Sequence, residues 1–215
     1  IVYNDKFIKD GAIASWNDLW KEDFRDSLMV IDGAREVMGI GLQSLGYSLN
    51  SKDRGQLQAA FTHLKDLTPN IKAIVADEIK MYMANEESPL AITFSGEAAD
   101  MMYENEHLHY VIPEEGSNLW FDNIVIPKTA KNIDGAYAFI NFMLEPENAA
   151  QNAEYIGYST PNEAAKKLLP AEISGDTQFY PTDEMLTHME VYEDLGPEYL
   201  GIYNDLFLEL KMYRR

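Results

Sequence analysis

The run GSNLWFDNIVIP at residues 116–127 sets Trp120 and Asp122 two positions apart. Read as a strand, it places residues i and i+2 on one face, so an aromatic wall stands beside a negative charge while Phe121 turns away. A core tryptophan and a turn acid would explain the pair locally. An aromatic wall beside a carboxylate poses a ligand question that spacing does not answer. A second candidate lies in IDGAREV, where a strand hands over to a helix with Asp32 and Glu36 at the helix start. There Asp32 or Gly33 can cap the helix while Glu36 complements its positive end. Alternatively, carboxylates at a strand's C-terminal crossing face a ligand cleft, as in open α/β sheets. The four histidines, His63, His107, His109 and His188, lack the His-Glu-x-x-His or His-x-x-x-His spacing of a metal helix. His107 and His109 share a strand face without an evident third ligand, so they read as a surface pair and no metal is expected.

Other chemistries fit less well. TFSG around Ser95 lacks the glycine two residues upstream that a nucleophile elbow requires, since Thr93 stands there. Gly39 and Gly41 fall inside a helical pattern with no phosphate-loop Gly-Lys-Ser/Thr behind them. Acid pairs are abundant, but no spacing fixes the separation a glycosidase would need. Acidic residues outnumber basic ones 36 to 17, for a formal net charge of -19, so the surface field repels nucleic acid and anionic membrane and attracts cations. With no cysteine, disulfides, thiolate metal sites and cysteine nucleophiles are removed together. No run approaches the roughly 18 apolar residues of a membrane span. The start IVYNDKFIKDG has neither Met nor a secretory signal pattern, and reads as the edge of a piece cut from a longer protein.

The elements that must position these residues follow from periodicity. IVYN, SLMVI, IKAIVA, LAITF and LHYVIP read as short buried strands. Between them lie helical patterns: SWNDLW with Ser15 as N-cap and Asp18 closing a capping box, DGAREVMGIGLQSLGY ending near Gly46, GQLQAAFTHLKDLTP closed by Pro69, DEIKMYMANEE and GEAADMMYENE. This βαβα order predicts an α/β sheet with helical crossovers. Residues 133–156 read as two helices joined at Pro146. The chain then passes through proline-separated pieces to a final helix, GPEYLGIYNDLFLELKMY, with Tyr199, Ile202, Leu206 and Leu210 as its apolar stripe.

Several segments together resemble the spermidine/putrescine-binding proteins of bacterial polyamine ABC importers, within the bilobal extracytoplasmic solute-binding proteins. They are SWNDLWKEDFRDSLMVIDGAREV, GSNLWFDNIVIPKTAKN, AYAFINFMLEPENAAQNAEYIGYSTPNEAAKKLL and IYNDLFLELK, and they cover nearly the whole chain. The resemblance is to the C-terminal two-thirds of that family's chain. It implies a type II periplasmic-binding-protein-like fold: residues 1–121 as the second ligand-binding lobe, 122–165 as a return segment of the first, and 166–215 as C-terminal helices packing back on the second. The N-terminal part of the first lobe is then missing.

Carried over by motif, Trp120 and Asp122 match the family's aromatic wall and a carboxylate for a ligand ammonium, and Glu36 matches a second carboxylate. Phe94 stands where the family has a tryptophan. Gly33 replaces a family acid, with Asp32 beside it as a substitute, and Leu208 replaces a polar position. Asp77 falls near another ligand-proximal segment. The resemblance implies a polyamine ligand, a permease partner, no cofactor, no catalysis, and an extracytoplasmic parent that is a cell-surface lipoprotein or periplasmic. The same fold could instead carry iron or a sugar, with tyrosine and histidine or amide and hydroxyl ligands. An acid-pair hydrolase and an adhesive domain are more distant alternatives.

Overall fold

A computed structural model describes residues 1–213. The described residues fall into two units, one comprising residues 1–119 and 183–213, the other residues 120–182. The first is built on five strands: β1 (Val2–Asn4), β2 (Leu28–Ile31), β3 (Ile71–Val75), β4 (Leu90–Ala91) and β5 (Leu108–Tyr110), in the spatial order β3-β2-β4-β1-β5. β2 runs parallel to β3 and β4, whereas β1 runs antiparallel to β4 and β5. The sheet is therefore mixed, and the helical crossovers serve its parallel half.

The strands are apolar on both faces because helices cover both. Leu28 and Val30 join a core with α1 (Ala34–Gln43), α2 (Arg54–Leu67) and the final helix, while Met29 faces α3 (Glu78–Ala84) and α4 (Ser95–Glu104). Each fully buried leucine of this core, Leu28, Leu57 or Leu64 for example, represents about 2–5 kcal/mol against truncation to alanine. Helix starts follow local chemistry. Asp53 caps α2 by accepting from the N–H groups of Gly55 and Gln56 at 2.7 and 3.0 Å. Ser15 and Asp18 form the expected capping box, although the helix they open, Trp16–Trp20, is 3₁₀. LAITF shortens to the two residues of β4, and Phe94 becomes the N-cap of α4.

The second unit holds α5 (Ile133–Leu144), α6 (Pro146–Ile156), α7 (Glu163–Lys166) and α8 (Ala171–Ser174). Pro146 starts α6, where its missing N–H costs nothing, and Gly157 ends it in the left-handed region. Its core is small: Ala150, Ala153, Ala165 and Leu169, with Ile173 and Tyr180 against it. Residues 166–182 thus pack with this unit, and only from Asp183 does the chain rejoin the first, through α9 (Asp183–Leu186) and α10 (Gly196–Tyr213). The stripe of α10 includes Tyr203, Phe207 and Leu210 as its buried members, with Ile202 and Leu206 at its margin.

The run 116–127 departs from the strand expected of it. Asn118 forms one isolated bridge with Glu190, and residues 119–127 belong to no strand. Alternation makes a strand only where a neighbour offers its own N–H and C=O groups. Here that partner is the returning chain: Leu119 N–H donates to Glu190 O at 2.9 Å, and Glu190 N–H to Ser117 O at 3.0 Å. The outgoing and returning connections therefore lie side by side just before the unit boundary.

Glu115 and Gly116 anchor this junction. Trp16 N–H and the Asn17 amide donate to the Glu115 carboxylate at 3.0 Å each, as does the Ser15 hydroxyl, and the Trp16 indole N–H donates to Gly116 O at 2.9 Å. Gly116 has φ +100°, and a Cβ there would lie 1.7 Å from His188 O. Gly116→Ala should cost about 2 kcal/mol or more, read as a lower urea midpoint. Partial burial opposes ionisation of Glu115, but its hydrogen bonds outweigh that and hold its carboxyl below the ordinary 4.5. Its stabilising contribution is complete above that ordinary value and disappears as pH falls through the lowered one. Urea denaturation below pH 4.5 should accordingly show a shallower acid loss of stability for Glu115→Gln than for the unsubstituted chain.

Candidate functional site

Because β2 is parallel to both β3 and β4, the C-terminal ends of these three strands meet at one edge of the sheet. Each then turns into a helix. β2 passes through Asp32 and Gly33 into α1, β3 through Asp77 into α3, and β4 through Phe94 into α4. β2 lies between β3 and β4, so Asp32 and Glu36 occupy the middle crossing, with Asp77 and Phe94 on the flanking ones. Four of the residues singled out in the sequence thus share one edge of the first unit. Asp77 is exposed at the N-cap of α3 but makes no side-chain cap bond; Phe94 is half-buried.

The two carboxylates of the middle crossing differ in their partners. Asp32 accepts both of its bonds from Lys211 of α10, with Nζ at 2.8 and 2.9 Å from the two oxygens. It carries an internal counter-ion. Glu36, in the first turn of α1, folds back over Gly33: a Cβ at Gly33 would lie 2.2 Å from Glu36 Oε2. The small residue at position 33 is what leaves room for the Glu36 carboxylate. Spacing alone marked Asp32 and Glu36 as equals, and only the position of α10 distinguishes them.

Two aromatic residues at this crossing escaped sequence reading. The Arg35 guanidinium lies 4.4 Å from the Tyr192 ring centroid and 5.1 Å from that of Tyr203. Burial first, and then the Glu36 charge, raises the Tyr192 hydroxyl far above the ordinary phenol range, so it stays protonated. The segment carrying Tyr192 is fastened to the loop after α1. Asn50 Nδ2 donates to Val191 O at 2.8 Å, Arg35 Nη2 donates to Asn50 Oδ1 at 2.8 Å, and the Leu49 N–H donates to the Glu190 carboxylate at 3.0 Å. Tyr192 sits in an acidic piece between Pro181 and Pro197 with no periodicity, and no sequence signal points to it. Leu208, by contrast, is exposed on α10 while Phe207 and Leu210 fill the core.

Trp120 and Asp122 belong to the second unit. Trp120 is half-buried, its ring edge-on to Tyr158 with centroids 5.3 Å apart, and Asp122 is exposed. The histidine pair also finds partners that spacing did not reveal. His107 Nδ1 and His109 Nε2 each lie 2.8 Å from a different oxygen of Asp5.

The chain as a whole is similar to known proteins. A family model for bacterial extracellular solute-binding proteins matches residues 1–182, and the chain belongs to that family. It is 39% identical over 212 residues to the spermidine/putrescine-binding periplasmic proteins of Salmonella typhimurium and Escherichia coli, covering 98% of this chain. It spans 60% of the length of those relatives. Among solved structures, the spermidine/putrescine ABC transporter substrate-binding protein PotD of Streptococcus pneumoniae, in complex with calcium and HEPES, is 59% identical. It superposes with a TM-score of 0.92 over 100% of this chain and 66% of that one. The PotD lipoprotein of Treponema pallidum is 26% identical, with a TM-score of 0.82 over 97% of this chain and 65% of its own. The mixed α/β architecture expected from the sequence is that of these proteins.

Gly33→Ala should leave stability within about 1 kcal/mol of the parent, because its backbone is extended and the clashing atom is the end of a flexible side chain. It should nevertheless move the Glu36 carboxylate, seen as a change in that side chain's carbonyl carbon resonance.

Proposed function

We propose that this chain is the ligand-contacting part of a polyamine-binding receptor that delivers its cargo to a membrane permease outside the cytoplasm. The observation that carries this reading is the gathering of Asp32, Glu36, Asp77 and Phe94 at one sheet edge, in a chain similar to proteins named for spermidine and putrescine binding. A polyamine presents ammonium groups joined by methylene chain. Carboxylates take the former and flat aromatic faces the latter. In this reading Glu36 and Asp122 accept from ammonium groups, while Phe94 and Trp120 stack along the chain. Asp32 contributes charge but gives up Lys211 only in competition, and Asp77 adds long-range attraction. The role is binding without catalysis, with ligand shifting the populations of open and closed arrangements of the complete receptor.

Magnitudes support a mixed site. A micromolar ligand requires about 8 kcal/mol. Each cation over an aromatic face supplies on the order of 0.5–2 kcal/mol, so stacking alone falls short. Charge-assisted hydrogen bonds at about 1.5–3 kcal/mol each complete the sum.

Calorimetric titration with spermidine at constant ionic strength tests the reading. Saturable binding should weaken roughly 10- to 100-fold in Glu36→Gln and again in Asp122→Asn, since each removes a charge-assisted bond. Heat reproduced by a simple salt, and unchanged in both variants, would show only an acidic surface responding and would sink the proposal.

A further inference from the structure

At the other end of the sheet a second constellation forms. β1 is antiparallel to β4, so the residue that follows β1, Asp5, lies where β4 begins, opposite the edge that carries Asp32 and Phe94. Here Asp5, Asp10 and His109 each offer a ligand atom, all within 4.8 Å of one another. They come from three places in the chain: the end of β1, the turn beyond it, and the edge strand β5. We propose that Asp5, Asp10 and His109 bind a divalent cation of the zinc type.

The geometry fits such an ion. Zinc takes imidazole and carboxylate ligands at about 2.0–2.2 Å, which sets neighbouring ligand atoms about 3.3 Å apart in a tetrahedral shell. His109 Nε2 lies 2.8 Å from Asp5 Oδ2 and 4.0 Å from Asp10 Oδ1, one shorter and one longer than that spacing, so side-chain shifts of about 1 Å or less bring both to it. Water completes the shell. The surroundings orient the ligands as outer groups do in metal sites. A carboxylate can only accept, so His107 Nδ1–H donates to Asp5 Oδ1 at 2.8 Å and fixes its rotation. The Tyr3 hydroxyl donates to Asp10 Oδ1 at 3.1 Å, and the Tyr3 ring stacks on His109 with centroids 5.2 Å apart.

Lys6, which follows Asp5 in the sequence, is paired with Glu86 at 2.6 Å. Binding takes the neutral His109 ring in its Nδ1–H tautomer: the proton facing Asp5 passes through solvent from Nε2 to Nδ1, and the freed Nε2 lone pair and the Asp5 carboxylate both turn to the metal. One imidazole with two carboxylates selects zinc-type ions over calcium or magnesium, which prefer all-oxygen shells. The ion would tie edge strand β5 to the end of β1, away from the polyamine edge.

Titration with Zn²⁺ by calorimetry, with histidine ring NMR on the same samples, tests this. The expected result is one zinc per chain, with the His109 ring signals shifting and those of His63 and His188 unmoved. Affinity should fall roughly tenfold or more in Asp10→Asn and in His109→Gln. Asp10 is an exposed side chain, so Asp10→Asn keeps the fold and isolates the ligand effect. Zinc binding that is absent, that persists unchanged in both variants, or that Ca²⁺ or Mg²⁺ matches at equal concentration would overturn the assignment.

Discussion

Parallel pairing of β2 with both β3 and β4 is the constraint on which the candidate site depends. A chain leaving a parallel strand must return to the opposite end before it can pair again, and it does so through a helix. Three strands that share a direction therefore deliver three helix N-termini to one sheet edge. The acids collected there, Asp32, Glu36, Asp77 and Glu97, would repel one another if left to themselves. Positive helix ends offset that repulsion for Glu36 and Glu97, and Lys211 offsets it for Asp32.

The antiparallel half of the sheet imposes the opposite arrangement. Inserting β1 between β4 and β5 reverses the chain direction, so the end of β1 and its following turn fall at the other edge. Charge at that edge is arranged around imidazole, with Asp5 bridging two rings, and so differs in kind from the carboxylate and aromatic crossing. One mixed sheet thus keeps two charged constellations apart by its own length. Separation of this kind comes from strand direction and needs no intervening domain.

The two connections at the end of the first unit are held by a few polar groups. Glu115 gathers donors from the Ser15 turn, and Glu190 gathers them from the loop after α1, so both connections are pinned on the first unit's side. Each carboxylate accepts several N–H or O–H groups, which keeps the outgoing and returning chains in register at Asn118 and Glu190 without a full strand pair. In the second unit, α5 carries no buried residue despite its apolar sequence, and Phe139, Phe142 and Leu144 are exposed.

By itself, the sequence determined what depends on neighbours along the chain. The five strands, the Ser15 and Asp18 capping box, the break at Pro146 and the helix starting after Gly33 were all legible, because periodicity and capping are local. The βα crossings could be named as sites for the same reason. What only tertiary structure decided depends on residues far apart: Lys211 neutralising Asp32 from 179 positions away, Arg35 lying over the Tyr192 ring, and Asp5 joining His107 and His109 across 102 and 104 positions. The run through Trp120 shows the limit from the other side. Its alternation is that of a strand, yet a strand is a property of two chains, and the pattern of one cannot supply the other's hydrogen bonds.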